Sequence, residues 1–228
     1  MTPSPRQLTL NLPHSPSFAR DDFLVAPSNR EAFAAIDAWP RWPARMLLLV
    51  GPEGSGKSHL AALWAEKAAA LTVSPPEPAG SGVAEAPAFL IEDADRVGEA
   101  EVRLFHLLNA ALQTKAWVLL TARTAPDAWG LKLPDLLSRL RLAPVARLET
   151  PDLELTEGVL VKLFSDRQLQ VEPRVVSYIA MRIERSLGAA RQLVDLMDRE
   201  ALAQGRRVSR TIATQFLREF PESMMDTP

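Results

Sequence analysis

Met46-Leu47-Leu48-Leu49-Val50-Gly51-Pro52-Glu53-Gly54-Ser55-Gly56-Lys57-Ser58 is the stretch that decides the fold of this chain. Its second part satisfies G-x-x-x-x-G-K-[ST], the pattern of a phosphate-binding loop. Its first part is a short apolar run suited to a strand buried on both faces. Beyond it, Leu60, Leu63, Trp64 and Leu71 recur at helical spacing. The loop is therefore expected to join the carboxyl end of a strand to a helix N-terminus, whose unpaired N–H groups and positive dipole end attract phosphate. Gly51, Gly54 and Gly56 let backbone amides approach the oxygens, with Pro52, Glu53 and Ser55 completing the turn. Lys57 would neutralise β/γ charge and the Ser58 hydroxyl would hold Mg²⁺. A nucleoside triphosphate is the expected ligand.

Working outward, three further apolar runs follow: Ala88-Phe89-Leu90-Ile91, Trp117-Val118-Leu119-Leu120 and Val145-Ala146-Arg147-Leu148. The first two bracket a helix in which Leu104, Leu107, Leu108 and Ala111 share one face. Strands alternating with helices predict a parallel sheet covered on both faces. Glu92-Asp93 follows Ile91 at once, which places two carboxylates at the carboxyl end of a buried strand, where open α/β sheets bind ligands. One would hold Mg²⁺ through its waters and the next would polarise an attacking water. Thr121 ends the following strand, either as a γ-phosphate or water contact or as an ordinary polar strand end. Thr72 to Pro87 holds four prolines and two glycines, a composition that predicts a surface loop.

After Pro151 the pattern turns to helix alone, with candidates at 156–167, 173–183, 187–203 and 209–219. Pro173 suits a first helical turn and Ser209 an N-cap. Residues 151–220 carry 11 Lys/Arg against 10 Asp/Glu, so this region lacks the electrostatic footprint of a DNA binder. The whole chain of 228 residues has a net charge of −2. The absence of cysteine excludes disulfides and thiolate metal sites. His14, His59 and His106 lack metal-ligand spacing. No apolar run has the length of a signal core or a membrane span, so a cytoplasmic protein with no membrane association is expected. Residues 1–17, with four prolines, read as an extended tail, 18–150 as the α/β core, 151–221 as a small α-helical lid and 222–228 as a C-terminal tail.

Together these features resemble the AAA+ ATPases, and more narrowly the DnaA-related group of the chromosomal replication initiator and its shorter, Hda-type regulatory paralogues. The likeness covers about residues 18–220. Phe18-Ala19-Arg20-Asp21-Asp22-Phe23-Leu24-Val25 with Ser28-Asn29 is similar to the leading segment that wraps the adenine, which makes Phe23, Leu24, Val25 and Asn29 base-contact candidates. Leu137-Ser138-Arg139-Leu140 is similar to the segment carrying the arginine finger, so the resemblance implies that Arg139 reaches a nucleotide on a neighbouring subunit. Arg185-Ser186-Leu187 resembles the sensor 2 segment, which would set Arg185 over the phosphates. Two departures stand out. Glu92 occupies a position usually held by Asp, which favours nucleotide binding over fast turnover and implies at most weak intrinsic ATPase activity. Ala122 and Arg123 stand where the initiator often has Ser and Asp.

Gln7-Leu8-Thr9-Leu10-Asn11-Leu12 is similar to the sliding-clamp-binding motif Q-L-x-L-x-L/F. Gln7 would hydrogen-bond in a small polar pocket while Leu8, Leu10 and Leu12 supply the apolar side chains, Leu10 and Leu12 filling a groove on the clamp. The sequence ends at Pro228, so no initiator-type helix-turn-helix domain and no direct sequence-specific DNA binding are expected. The resemblance implies a regulator that binds ATP or ADP with Mg²⁺, docks on the DNA polymerase sliding clamp and stimulates ATP hydrolysis by a DnaA-type initiator. Self-association as a homodimer is left open. Two rival readings remain: a clamp-tethered adaptor that does not stimulate hydrolysis, and a phosphotransferase sharing the phosphate loop.

Overall fold

The computed structural model describes residues 23–73 and 86–204, together with 213, 214, 216 and 217. The clamp-like motif at 7–12, residues 18–22, segment 74–85 and Ser209 lie outside the described residues. The chain divides into two units, one running to Pro151 and the other beginning at Asp152.

The first unit is built on a five-stranded parallel sheet of order β2-β3-β4-β1-β5, comprising β1 (Met46–Val50), β2 (Leu71–Val73), β3 (Ala88–Ile91), β4 (Trp117–Ala122) and β5 (Val145–Arg147). Around it run α1 (Arg30–Asp37), α2 (Lys57–Ala68), α3 (Glu101–Gln113) and α4 (Pro134–Arg141). Alternate residues of the central strands point to opposite faces, as the pleat requires. Leu48, Val50, Phe89, Ile91, Val118 and Leu120 pack with Leu104 and Leu108 of α3 and Leu136 and Leu140 of α4. Leu47, Leu49, Leu90 and Leu119 pack on the other face with Ile36 of α1 and Leu60 and Trp64 of α2. Every residue of β1 and β3 is buried. A truncation such as Leu48→Ala or Leu120→Ala would cost about 2–5 kcal/mol. The sheet and its two helical faces are thus the α/β arrangement expected from the apolar runs.

The element bounds differ from the sequence reading in places with physical reasons. Leu71 and Thr72 do not extend α2 or open a loop; they belong to the edge strand β2, paired with β3. The helix stops because Ala69 takes a left-handed conformation and Ala70 N–H donates to the Ala65 carbonyl at 2.8 Å, satisfying a terminal acceptor. β4 continues through Thr121 to Ala122, so Thr121 lies inside the strand and opposite Leu49 of β1.

The second unit is helical: α5 (Leu153–Asp166), α6 (Pro173–Ala180) and α7 (Leu187–Gln204), with 213, 214, 216 and 217 also helical. α5 starts three residues before the apolar spacing does because Asp152 Oδ1 accepts the Leu155 N–H at 2.7 Å, an N-cap bond. α6 ends at Ala180, short of the expected 183. Leu160, Phe164, Ile179, Leu193, Val194 and Met197 form its core, all buried.

Candidate phosphate-loop site

Strand order brings the sequence motifs together. β4 lies between β3 and β1, so the acidic turn after β3, the end of β4 and the loop after β1 all emerge at the carboxyl edge of adjacent strands. Gly51 N–H donates to the Ala122 carbonyl at 3.2 Å, tying the start of the phosphate loop to β4. Gly51 also sits where no side chain fits: an added Cβ would lie 2.7 Å from the Leu148 carbonyl oxygen and 2.9 Å from Ser55 Oγ. Gly54 and Gly56 have φ of 70° and 96°, a region that costs other residues about 1–2 kcal/mol.

Lys57 opens α2 and folds back into its own loop, where Nζ donates to the carbonyls of Gly51 and Pro52, both at 2.8 Å. Its burial pushes the ammonium below its usual 10.5, while the carboxylates of Asp93, Asp95 and Glu53 pull the other way and Arg123 adds to the lowering. Ser58, one residue on, is exposed at the helix start. Ser55 is buried, and its Oγ has no hydrogen-bond partner.

Asp93 adopts φ 48°, and its N–H donates to Thr121 Oγ1 at 3.0 Å. Glu92 is half-buried and Asp93 exposed. The turn holds a third carboxylate that the sequence reading did not single out: Asp95, whose side chain is 7% exposed and whose Oδ2 accepts from Arg123 Nε at 3.0 Å. That pair joins residues 28 apart in sequence, so local spacing carried no signal for it.

Of the base-contact candidates, Phe23 stacks on Phe33 at 5.3 Å and meets His59 edge-on at 5.4 Å. Asn29 is buried, its Oδ1 accepting from Ala26 N–H and its Nδ2 donating to the Leu24 carbonyl, both at 2.8 Å. It shapes the leading segment through the main chain. Val25 is exposed. Arg139 lies near the end of α4, its guanidinium 5.0 Å from the Phe105 ring centre and hydrogen-bonded to Asn109 Oδ1, both on α3. A second residue that the sequence reading did not single out lies at the start of α3: the buried Glu101 carboxylate accepts the N–H groups of Lys132 at 2.9 Å and Leu133 at 2.8 Å, immediately before α4. Arg185 belongs to the helical unit, exposed and one residue before Ser186, whose Oγ accepts the Ala189 N–H at 3.2 Å.

The donors at the loop fit a phosphate and a hard cation. Buried Ser55 Oγ is an unsatisfied polar atom within the loop, and a buried unpaired hydroxyl costs stability unless a ligand satisfies it. Among the described residues no group of three or more Asp, Glu, His or Cys could hold a metal alone. Mg²⁺ takes one or two protein oxygens and completes its shell with water and phosphate. Ser58 and Glu92 would be those donors. No helix among the described residues is long and apolar enough to cross a membrane.

No protein-family model matches the sequence. The chain is 26% identical over 254 residues to the chromosomal replication initiator protein DnaA of Thermomicrobium roseum, covering 96% of this chain and 52% of that protein. It is 23% identical over 201 residues to DnaA of Cutibacterium acnes, covering 76% and 40%. The chain thus spans about half the length of the curated relatives it matches. Among solved structures it is similar to domain III of Thermotoga maritima DnaA, with TM-score 0.79 and 19% identity over 90% of this chain and 98% of that one. AMPPCP-bound DnaA from Aquifex aeolicus gives TM-score 0.68 and 16% identity, covering 80% and 65%. With its parallel sheet order and phosphate loop, the chain has the AAA+ fold of domain III of the replication initiator DnaA.

Proposed function

We propose that this chain is a Hda-type regulator that binds ATP or ADP at residues 51–58, docks on the DNA polymerase sliding clamp through Gln7, Leu8, Leu10 and Leu12, and presents Arg139 to ATP held by a DnaA-type initiator. The consequence is faster hydrolysis on the initiator and restraint of re-initiation. The observation that carries this reading is the convergence of the phosphate loop, the Glu92-Asp93 turn and Thr121 at one sheet edge, on a fold shared with DnaA domain III. AMPPCP on related structures supports adenine nucleotide as the ligand.

In this reading Lys57 leaves the Gly51 and Pro52 carbonyls and turns to phosphate, and Glu92 and Asp93 orient water at the β3 end. Mg²⁺ would supply charge neutralisation across the phosphate oxygens. Arg139 stands ready because Phe105 and Asn109 hold its guanidinium on α3, which lowers the ordering cost of meeting a partner's phosphate.

The test is ATP hydrolysis by ATP-loaded initiator with DNA-loaded clamp and this protein, then with each omitted and with Arg139→Ala. Clamp-dependent stimulation lost in the variant supports the mechanism. Stimulation that survives in Arg139→Ala removes the finger assignment. Absence of stimulation despite nucleotide and clamp binding leaves a clamp-tethered adaptor.

A further inference from the structure

Because β1 and β4 run parallel, the residues that open them lie together at the amino edge of the sheet, opposite the phosphate loop. Arg45 directly precedes β1, and Trp117 is the first residue of β4. The Arg45 guanidinium lies over the Trp117 ring, 4.6 Å from its centre, and Nη1 donates to the Lys115 carbonyl at 2.7 Å. Lys115 holds a left-handed φ of 58°, so that bond steadies a strained turn carrying an exposed ammonium. Trp117 meets Trp39 edge-on at 6.2 Å, and Lys67 Nζ lies 6.0 Å over the Trp39 ring. A row therefore runs from Lys67 through two half-buried indoles to Arg45, with exposed Arg41 on the turn after Trp39. Buried Trp42 and Trp64 pack against those indoles and hold them in place. Of the four cations only Lys67 has a carboxylate partner among the described residues, Asp37 at 3.6 Å.

We propose that this row of cations is a non-specific contact for the phosphate backbone of duplex DNA. The source of the duplex rests on the functional reading above, which sets the chain on a DNA-loaded clamp. A guanidinium laid on an indole is stabilised without an acid and keeps its remaining N–H groups for an external anion. Arg45 spends one such group on Lys115, and the others have no acceptor among the described residues. Cations strung along a row suit an anion that repeats at intervals, as phosphates do along a nucleic acid. Single-strand binding would instead use open aromatic faces on which bases stack. Here Arg45 and Lys67 lie over the two rings, so phosphates rather than bases are the targets. The row sits at the edge opposite the phosphate loop, so duplex and nucleotide do not compete. A chain-wide charge of −2 conceals such a patch, and a few phosphate contacts give weak, salt-sensitive tethering without sequence reading.

The experiment is fluorescence anisotropy of a labelled random-sequence duplex with the full chain, without clamp, over a series of salt concentrations. Wild type, Arg41→Gln, Lys115→Gln and the double variant are compared, with thermal melting by circular dichroism as the folding control. Each single substitution should flatten the slope of log affinity against log salt by about 1, and the double variant by about 2. At low salt the double variant should bind at least about tenfold more weakly. Arg45→Lys keeps the charge but loses the planar fork, so it should weaken binding while leaving the slope nearly intact. Absence of duplex binding by wild type at low salt, or an unchanged slope in the folded double variant, overturns the proposal. So does tighter binding to an oligothymidine of equal length that survives in the double variant, which would place the contact on bases. Loss of binding to phosphatidylserine vesicles with duplex binding intact would assign the row to a membrane surface instead. The functional reading fails separately, through absent clamp binding, which this titration does not involve.

Discussion

The backbone N–H of Asp93 donates to Thr121 Oγ1 at 3.0 Å, so the acidic turn after β3 is latched to the neighbouring strand. Asp93 holds a left-handed φ of 48°, which a non-glycine residue keeps only when its surroundings compensate. Thr121 is 1% exposed, so replacing its hydroxyl by a methyl group leaves the Asp93 N–H without that acceptor. Thr121→Val should destabilise the protein by about 1–3 kcal/mol, and Thr121→Ser by much less. Urea unfolding measures both; equal stability of Thr121→Val and wild type would mean that the latch contributes nothing.

Gly51→Ala tests the fit between the phosphate loop and the segment after β5. The new Cβ would meet Leu148 O at 2.7 Å and Leu148 Cβ at 2.9 Å, both parts of a packed core. Overpacking of this kind costs about 1–3 kcal/mol. A lowered urea midpoint together with weaker ADP binding is expected, and a variant with wild-type values for both would show that the loop has slack.

Glu101→Gln should act at a distance on Arg139. The carboxylate accepts two N–H groups at the approach to α4, and an amide keeps only one acceptor oxygen. A loss of about 1–3 kcal/mol is expected. Stimulation of initiator hydrolysis should fall with it, while ADP binding at the phosphate loop stays intact; undiminished stimulation would free Arg139 from dependence on this anchor.

The pH dependence of ADP affinity follows from Lys57. Burial lowers its pKa from 10.5 in the free protein, and bound phosphate favours the charged form. Affinity should therefore hold from neutral pH upward and then decline as pH passes the lowered value, before an ordinary lysine titrates. The linkage to folding has the opposite sense. Between the lowered folded value and 10.5 the unfolded chain binds more protons, so stability rises with pH across that window, and the burial cost is fully present below it. Titration calorimetry over the alkaline range checks the first claim; affinity that stays constant through 10.5 refutes it.

Replacing Gln7 and Leu10 together by alanine should abolish clamp binding with an unchanged melting temperature, as measured by surface binding and circular dichroism. Clamp affinity equal to wild type would assign those residues no docking role.

The phosphate loop, the buried strands β1 and β3 and the Glu92-Asp93 pair were legible in sequence because each is contiguous and carries a strong apolar or glycine pattern. β2 was not, because three residues at a sheet edge, Leu71, Thr72 and Val73, provide too few alternations to register. Asp95 with Arg123, and Glu101 with Lys132 and Leu133, were invisible for another reason: each contact joins residues roughly a quarter-hundred or more positions apart, and only the sheet order makes them neighbours. The cluster of Trp39, Trp42, Trp64 and Trp117 is of the same kind, assembled from α1, α2 and β4 surroundings that periodicity treats separately.

β5 is three residues long, with Val145 and Arg147 exposed and only Ala146 buried. So short a border, ended by a cation, is a poor template for another strand. Copies of this chain or other proteins meeting the α/β unit on that side must engage side chains rather than add to the backbone ladder. Crowding the protein at high concentration should therefore not seed fibrillar growth from this border.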